Sequence, residues 1–360
     1  MTPKTRAVRS LRHVGLMAVA LGLGGACLAG CSSDSNGQPG VALITKTSTN
    51  PYFVTMQNGA EQAAKKDGIN LTVASGKTDG DEASQITAIE NAIARGDKGI
   101  LITPNGPGVN AAIKKARDAG LYVIALDTAP DPANTVDITF ATNNFRAGEL
   151  IGQWAAKKLA GKPAVIALVD LYSDKVVSVD YNRDQGFLQG MGIALNDPKK
   201  NGDEAPTGRY SGGQYTIVCN QPSQGAEDGG RTAMENCLSK NPDINLVYTI
   251  NEPAASGASN ALNAAGKQAT IVSVDGGCDP GMKLVQSGVI GATSQQYPLK
   301  MASLGVDAIS EYIKNGTKHA VTPGLDYFDT GVNLVTDQPQ ADVPSITAAE
   351  GLKQCWGGQS

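Results

Sequence analysis

The chain reads as an α/β protein built from two doubly wound parallel-sheet lobes, and three observations carry that expectation. Strand-like and helix-like segments alternate from Val41 onward with little between them, the pattern that buries parallel strands between layers of helices. The alternation runs in two successive series, which implies two such lobes. The composition agrees: 360 residues allow two domains at roughly 150 residues each, and 43 glycines, 5% aromatics and 41% hydrophobic residues suit a Gly/Ala/Val-rich α/β chain better than a disordered one.

The first strand is Val41–Thr47. Val41, Ala42, Leu43 and Ile44 form a short apolar run after Gly40, as expected of a strand buried on both faces. Hydrogen-bonding residues follow, from Lys46 to Asn50. Pro51 suits the first helical position and Asn50 the cap before it, so Tyr52 and Phe53 fall in the first turn of a helix over 51–67. In a parallel sheet the carboxyl end of a strand is where ligands bind. Further strands are read at 69–75, 99–104, 122–127 and 137–142, with helices at 82–95 and 108–119. After a helix at 145–159 the second series has strands at 164–170, 216–220, 245–251, 270–275 and 291–296. Helices are read near 181–195, 226–239, 253–265 and 279–287, and a last one follows at 299–314.

The strand ends hold the functional signal. They read Thr-Lys-Thr (45–47), Thr-Pro-Asn (103–105), Leu-Asp-Thr (126–128), Thr-Asn-Asn (142–144) and Val-Asp (169–170). In the second series they read Ile-Asn-Glu (250–252), Val-Asp-Gly (274–276) and Ser-Gln-Gln (294–296). Any single polar loop is unremarkable. Together these ends describe a cleft between two lobes lined with hydrogen-bonding groups.

The N-terminus reads as an address. Lys4, Arg6, Arg9 and Arg12 precede a small, apolar stretch from Val14 to Ala29, too short for a comfortable membrane span. Leu28-Ala29-Gly30-Cys31 resembles a bacterial lipoprotein lipobox, which implies a signal peptide over residues 1–30, cleavage before Cys31 and lipidation of that residue. Residues 31–40 then read as a flexible, lipid-anchored tether. Cleavage removes four cations and no anion, taking the formal charge from −4 to −8. An acidic body argues against nucleic acid as a partner. Cys219, Cys237, Cys278 and Cys355 remain beyond the leader and anchor, an even number that in an exported protein suggests two disulfides with three possible connectivities. Zinc is the rival reading, but no Cys-x-x-Cys occurs and His319 is the only histidine after the leader. Neither metal nor cofactor is expected.

At TNPYF (49–53), GILITP (99–104), VIALDT (123–128), ATNN (141–144), NRDQGF (182–187), TINEPAA (249–255), SVDGG (273–277) and TSQQYP (293–298) the sequence resembles the type I periplasmic solute-binding proteins of monosaccharide ABC transporters. The match runs from about Val41 to Thr336, within the ribose/galactose/fructose-binding family, and its wording is nearest the fructose-binding branch. The resemblance implies two lobes joined by three crossings, closing like a hinged clamp on a fructose-like ketohexose, pentose or sugar alcohol for delivery to an ABC transporter permease. It implies a monomer outside the cytoplasm, held to the cell membrane only by its lipid, with no enzymatic step. The first lobe would comprise 41–142 with 297–325, the second 143–296 with 326–360. Hinges would fall near Thr142–Asn143, Gln296–Tyr297 and Leu325–Asp326. Carried over position by position, the ligand set is Lys46, Asn50, Tyr52, Phe53, Asp127, Thr142, Asn143, Arg183 at a helix start, Asn251, Asp275 and Gln296. Thr128 stands where ribose binders often have Arg. The aromatic expected before the 226–239 helix is missing, and Asn220, Gln221 and Gln224 occupy that region, which implies a more polar wall.

The set makes chemical sense by itself. Sugar hydroxyls both donate and accept; carboxylates accept strongly, Lys46 and Arg183 donate, and the amides do both. Tyr52 and Phe53 can cover the C–H face of a ring. Three rival readings are weaker. Gly106-Pro-Gly-Val-Asn-Ala111 with Asp127 sixteen residues on approximates a dinucleotide fingerprint, but it follows the third strand rather than the first. Asp127 and Asp275 could form a glycosidase pair. A sugar-responsive DNA regulator would need a helix-turn-helix where the leader and tether stand. Sensing for a signalling receptor is compatible with transport. For the cysteines, Cys219 ends a strand and Cys237 lies in the last turns of the next helix, while Cys278 sits at the cleft mouth and Cys355 in a Pro/Gly-punctuated tail. Pairs 219–237 and 278–355 follow, the second pinning the tail to the loop that presents Asp275.

Overall fold

A computed structural model describes residues 37–357. The leader, Cys31 and most of the tether lie outside the described residues. The first series is β1 (Gly40–Thr45), α1 (Pro51–Asp67), β2 (Asn70–Ser75), α2 (Glu82–Arg95), β3 (Gly99–Ile102), α3 (Asn110–Asp118), β4 (Tyr122–Leu126) and β5 (Ile138–Ala141). The second is α4 (Asn144–Leu159), β6 (Ala164–Asp170), α5 (Ser178–Met191), β7 (Thr207–Tyr210), β8 (Gly213–Pro222), α6 (Glu227–Lys240), β9 (Leu246–Thr249), α7 (Glu252–Ala264), β10 (Thr270–Asp275), α8 (Lys283–Gln286) and β11 (Ile290–Gln295). The chain then returns for α9 (Pro298–Asn315) and β12 (Phe328–Asp329), and crosses again to β13 (Asn333–Val335) and α10 (Ala348–Gly351).

Two sheets result, ordered β12-β5-β4-β3-β1-β2 and β13-β11-β10-β9-β6-β8-β7. The first is parallel throughout; the second is parallel except where β7 meets β8 and β11 meets β13. Helices cover both faces. In the first lobe Leu43, Leu101 and Phe140 pack towards α1 and α9, while Ile44, Ile89, Ile100 and Ile113 fill the opposite face. In the second, Trp154, Phe187 and Tyr248 fill one face and Val169, Met234 and Ile250 the other. The strands are continuous apolar runs because each is buried on both sides. Helices α4 and α5 approach backbone to backbone: a Cβ on Gly148 would lie 2.1 Å from the Arg183 carbonyl oxygen, and one on Gly186 2.1 Å from that of Phe145. Glycine at this crossing therefore sets how far α5 stands into the cleft.

Several boundaries differ from expectation. The helix read at 181–195 runs from Ser178 to Met191, stopped by Gly192 at φ 82°, so Arg183 lies in its second turn and not at its start. The hairpin β7–β8 was not expected. The helix read at 279–287 is broken at Asp279, whose φ of −137° is not helical, leaving only a distorted turn and the short α8. Leu325–Asp326 is not the third crossing, because Phe328 and Asp329 still pair with Phe140 and Ala141 in the first sheet. The chain passes over at 330–332, and a two-residue strand carries no periodicity to announce it. Two disulfides join Cys219 to Cys237 and Cys278 to Cys355. Among the described residues no helix is long and apolar enough to cross a membrane.

Candidate ligand-binding site

The carboxyl ends of both sheets face the gap between the lobes, where a small polar cavity lies. The first lobe lines it with Lys46, Asn50, Tyr52, Phe53 and Asp127, the second with Arg183, Asn251, Asp275 and Gln296. Thr142 and Asn143 are not among its lining residues. Asn143 caps α4, accepting from the Arg146 amide, and Thr142 is buried beside it at the first crossing. A larger recess lies to one side, but much of its lining, including Asp174, Val176, Lys199 and Lys200, is exposed side chains. The smaller cavity has the convergent buried polar groups.

The two aspartates occupy equivalent places. Asp127 follows β4 at φ 63° and Asp275 ends β10 at φ 141°, conformations that cost a non-glycine residue about 1–3 kcal/mol unless their surroundings enforce them. The enforcement is visible. The Asp127 amide donates to the Phe140 carbonyl at 2.9 Å, and its carboxylate accepts from the Tyr52 hydroxyl at 3.1 Å and the Thr128 hydroxyl at 2.8 Å. After Asp275, the buried Glu252 carboxylate accepts from the Gly276 amide at 2.8 Å, the Gly277 amide at 3.0 Å and the Thr293 hydroxyl at 2.9 Å. The Trp356 indole donates to the Asp275 carbonyl at 3.1 Å, and the Gln296 side-chain carboxamide donates to its carboxylate at 2.8 Å. Trp356 is brought there by the neighbouring Cys278–Cys355 disulfide, and its ring meets Tyr52 edge-on at 5.2 Å.

Arg183 stands between the aspartates. Its guanidinium donates to Asn144 at 2.8 Å and to the Ile250 carbonyl at 2.9 Å. It stops 3.8 Å from the Asp127 carboxylate and 3.7 Å from that of Asp275. Those gaps are too long for direct hydrogen bonds, so all three groups keep bonding capacity towards the cavity. Asn251 caps α7, accepting from the Ala254 amide and donating to the Gly225 carbonyl; Asn50 caps α1 through the Tyr52 amide. Burial pushes the Asp275 carboxyl up to about 7, with Arg183 and Gln296 pulling against it. Burial and the charge of Asp275 push Glu252 up to about 8.

The lobes meet in a closed arrangement. Tyr172 of the second lobe donates to Asp79 of the first. Lys175 reaches the Gly80 carbonyl at 2.9 Å, Ser178 that of Ala129 at 2.5 Å, and Lys199 the Asp131 carboxylate at 2.8 Å. Asp79 itself lines the cavity, and burial raises its carboxyl while Lys46 opposes the shift. It was not legible in the sequence, lying in an acidic loop like many others. Leu171, Val179 and Ile250 also line the cavity; Ile250 had a signal in its position beside Asn251. The polar wall expected of Asn220, Gln221 and Gln224 is not what faces the cavity, and these three apolar residues stand on the second lobe's side instead.

The glycine motif after β3 is filled by its own protein. The Glu82 carboxylate accepts from the Gly108 amide at 2.8 Å and would lie 2.2 Å from a Cβ on Gly106. A resident carboxylate over those glycines repels the pyrophosphate that a dinucleotide would place there.

Comparison with known proteins agrees with this geometry. The ribose import binding protein of Haemophilus influenzae is 30% identical over 81% of this chain and 91% of its own. The D-apiose import binding protein of Actinobacillus succinogenes is 28% identical over 77% and 83%. Among solved structures, a galactofuranose binding protein superimposes with a TM-score of 0.71 at 25% identity, covering 88% of this chain and 97% of that one. An ABC transporter solute binding protein from Agrobacterium vitis with bound D-fucose gives 0.69 at 26%, covering 85% and 100%. The model of the periplasmic binding protein domain matches residues 41–318. With that match spanning most of its length and both lobes, the chain belongs to the periplasmic binding protein domain family.

Proposed function

We propose that the protein captures a neutral monosaccharide or polyol between its lobes, outside the cytoplasm, and presents it to the permease of an ABC importer. The observation that carries this reading is the arrangement of Asp127, Arg183 and Asp275. Two carboxylates from opposite lobes face one guanidinium across gaps of 3.7–3.8 Å, which hydroxyls that donate and accept at once would bridge. Tyr52 and Phe53 offer the aromatic surface that covers a ring's C–H face. Three carboxylates on the lining, Asp79 included, disfavour sugar acids and sugar phosphates. The relatives named above are sugar-binding proteins, and none of the geometry calls for bond making. A ketohexose, a pentose and a sugar alcohol all satisfy the donor and acceptor pattern; Thr128, buried against Asp127, keeps the ribose binders' arginine out of this site. In this reading the mature protein is a monomer tethered to the membrane through a lipid on Cys31.

A thermal-shift screen of the purified chain against neutral sugars, polyols, sugar acids and NAD tests it. A neutral sugar at a hundred times its Kd adds about 2.7 kcal/mol of stability. A response to a sugar acid or NAD alone would overturn the reading.

A further inference from the structure

The bonds from Tyr172, Lys175, Ser178 and Lys199 that hold the lobes together are not alike. Lys175 and Ser178 end on main-chain carbonyls, which any closed form would offer. Lys199 and Asp131 are an exposed pair, of the kind that contributes little. Of these four, only Tyr172 reaches a side chain that lines the cavity, that of Asp79. Tyr172 itself does not line it.

Asp79 and Lys46 are fixed against each other within the first lobe. The fully buried Asn105 accepts from the Gly80 amide at 2.9 Å and donates to the Lys46 and Asp81 carbonyls at 3.1 and 3.2 Å. The second lobe closes on Asp79 from two places. Tyr172 donates to one carboxylate oxygen, and a Cβ on Gly225 would stand 3.8 Å from the other. Gly225 is held in turn by Asn251 of the cavity lining, which donates to its carbonyl at 2.9 Å. The second Asp79 oxygen makes no hydrogen bond among the described residues. Lys46 is 2% exposed and lines the cavity, and its ammonium makes no hydrogen bond or ion pair among the described residues. Burial raises the Asp79 carboxyl, and Lys46 is the strongest charge opposing that rise. A buried ammonium without an acceptor is costly, and so is a desolvated carboxylate oxygen without a donor. One hydroxyl, accepting from the first and donating to the second, satisfies both.

We propose that Asp79 is a specificity-determining residue that couples recognition to closure: it takes a sugar hydroxyl shared with Lys46 and fastens the second lobe through Tyr172. The inference rests on the sugar-binding reading above and narrows it to sugars that carry a free hydroxyl at this end of the cavity. A sugar lacking that hydroxyl leaves Lys46 and Asp79 unsatisfied whenever the lobes shut.

The test uses the purified full chain and a panel of D-fructose, D-tagatose, D-ribose, D-allose, D-fucose, L-arabinose, D-mannitol and myo-inositol, the tightest binder being carried forward. Calorimetric titration and stopped-flow dissociation are run on the wild type, Tyr172→Phe, Asp79→Ala and the double variant. Tyr172→Phe keeps the ring and removes only the hydroxyl, so affinity should fall about tenfold, with the loss in the dissociation rate because the bond forms after the sugar has entered. Asp79→Ala should lose roughly 10- to 150-fold, and adding Tyr172→Phe to it should cost nothing more. One monodeoxy analogue of the same sugar should bind weakly to the wild type and lose no further affinity in Asp79→Ala. Unchanged affinity in Tyr172→Phe, or losses that add in the double variant, would overturn the coupling. If every monodeoxy analogue is weakened by Asp79→Ala as much as the parent sugar, Asp79 reads no hydroxyl and the proposal falls. Failure of the wild type to bind any of the panel would instead overturn the sugar reading, and this inference with it. Should Asp79→Ala fail to fold, Tyr172→Phe decides.

Discussion

Replacing Asp275 by Asn is the sharpest perturbation of the cleft. The amide keeps the size of the side chain and leaves Glu252, Gln295 and Trp356 to hold the turn around it. What changes is charge and acceptor strength. The carboxylate accepts from Gln296 at 2.8 Å and faces Arg183 at 3.7 Å; the amide presents one acceptor and a donor to the same surroundings. A hydrogen bond to a charged group contributes about 1.5–3 kcal/mol, so the loss of one such bond to a sugar hydroxyl weakens binding by roughly 10- to 150-fold. Stability should move the other way. Burial holds the Asp275 carboxyl up to about 7, so at pH 8 the folded protein bears an unfavourable buried charge that Asn removes. Calorimetric titration with the sugar found by the screen, at pH 8, reads the affinity, and a melting curve of the sugar-free variant reads the fold. The expected result is weakened binding with Tm unchanged or raised. Normal affinity would exclude Asp275 from the site, and a lowered Tm would move its role from ligand to scaffold.

Four further outcomes are expected. Replacing Cys278 and Cys355 by Ser should weaken sugar binding more than replacing Cys219 and Cys237, because only the former bridge holds Trp356 against Asp275; the latter closes 18 residues and should cost about 3 kcal/mol of stability in chemical denaturation, and an equal effect of both pairs on Kd would contradict this. Trp356→Phe keeps an aromatic edge on Tyr52 but loses the bond to the Asp275 carbonyl, so titration should show Kd rising about two- to twelvefold; no change would show that the bond does not orient Asp275. Tm should fall as pH rises from about 5 to 8.5, since the carboxyls of Asp275 and Glu252 sit at about 7 and 8 in the folded chain, above their unfolded values, and stability present below the unfolded values is lost through the folded ones; a Tm that climbs over this range would refute the sign. Scattering should show compaction on adding sugar, with motion at 142–143, 296–297 and 330–332, where the chain passes between sheets; an unchanged radius of gyration would argue against a clamp.

Much of this was legible in the sequence because parallel strands end in the cleft. A short apolar run followed by a small polar residue marks the place, and Lys46, Asp127, Asn251, Asp275 and Gln296 all followed such runs. What failed depended on geometry that spacing does not encode. Thr142 and Asn143 carry the same signal, yet a cap on α4 turns Asn143 to the helix and away from the cavity. Asp79 lies in a loop, and only the approach of Tyr172 from the other lobe shows its place. Leu171 and Val179 carry no polar signal to mark them, unlike Ile250 beside Asn251. Trp356 sits in a tail without periodicity, and a disulfide brings it to the site.

The structure of the complex with the best sugar from the screen tests the central claim most directly. The account predicts closed lobes with hydroxyls bridging Arg183 to both Asp127 and Asp275, and the ring covered by Tyr52 or Phe53. A sugar seated in the larger recess beside Tyr172 and Asn220, with the Asp127–Arg183–Asp275 gaps unbridged, would contradict it.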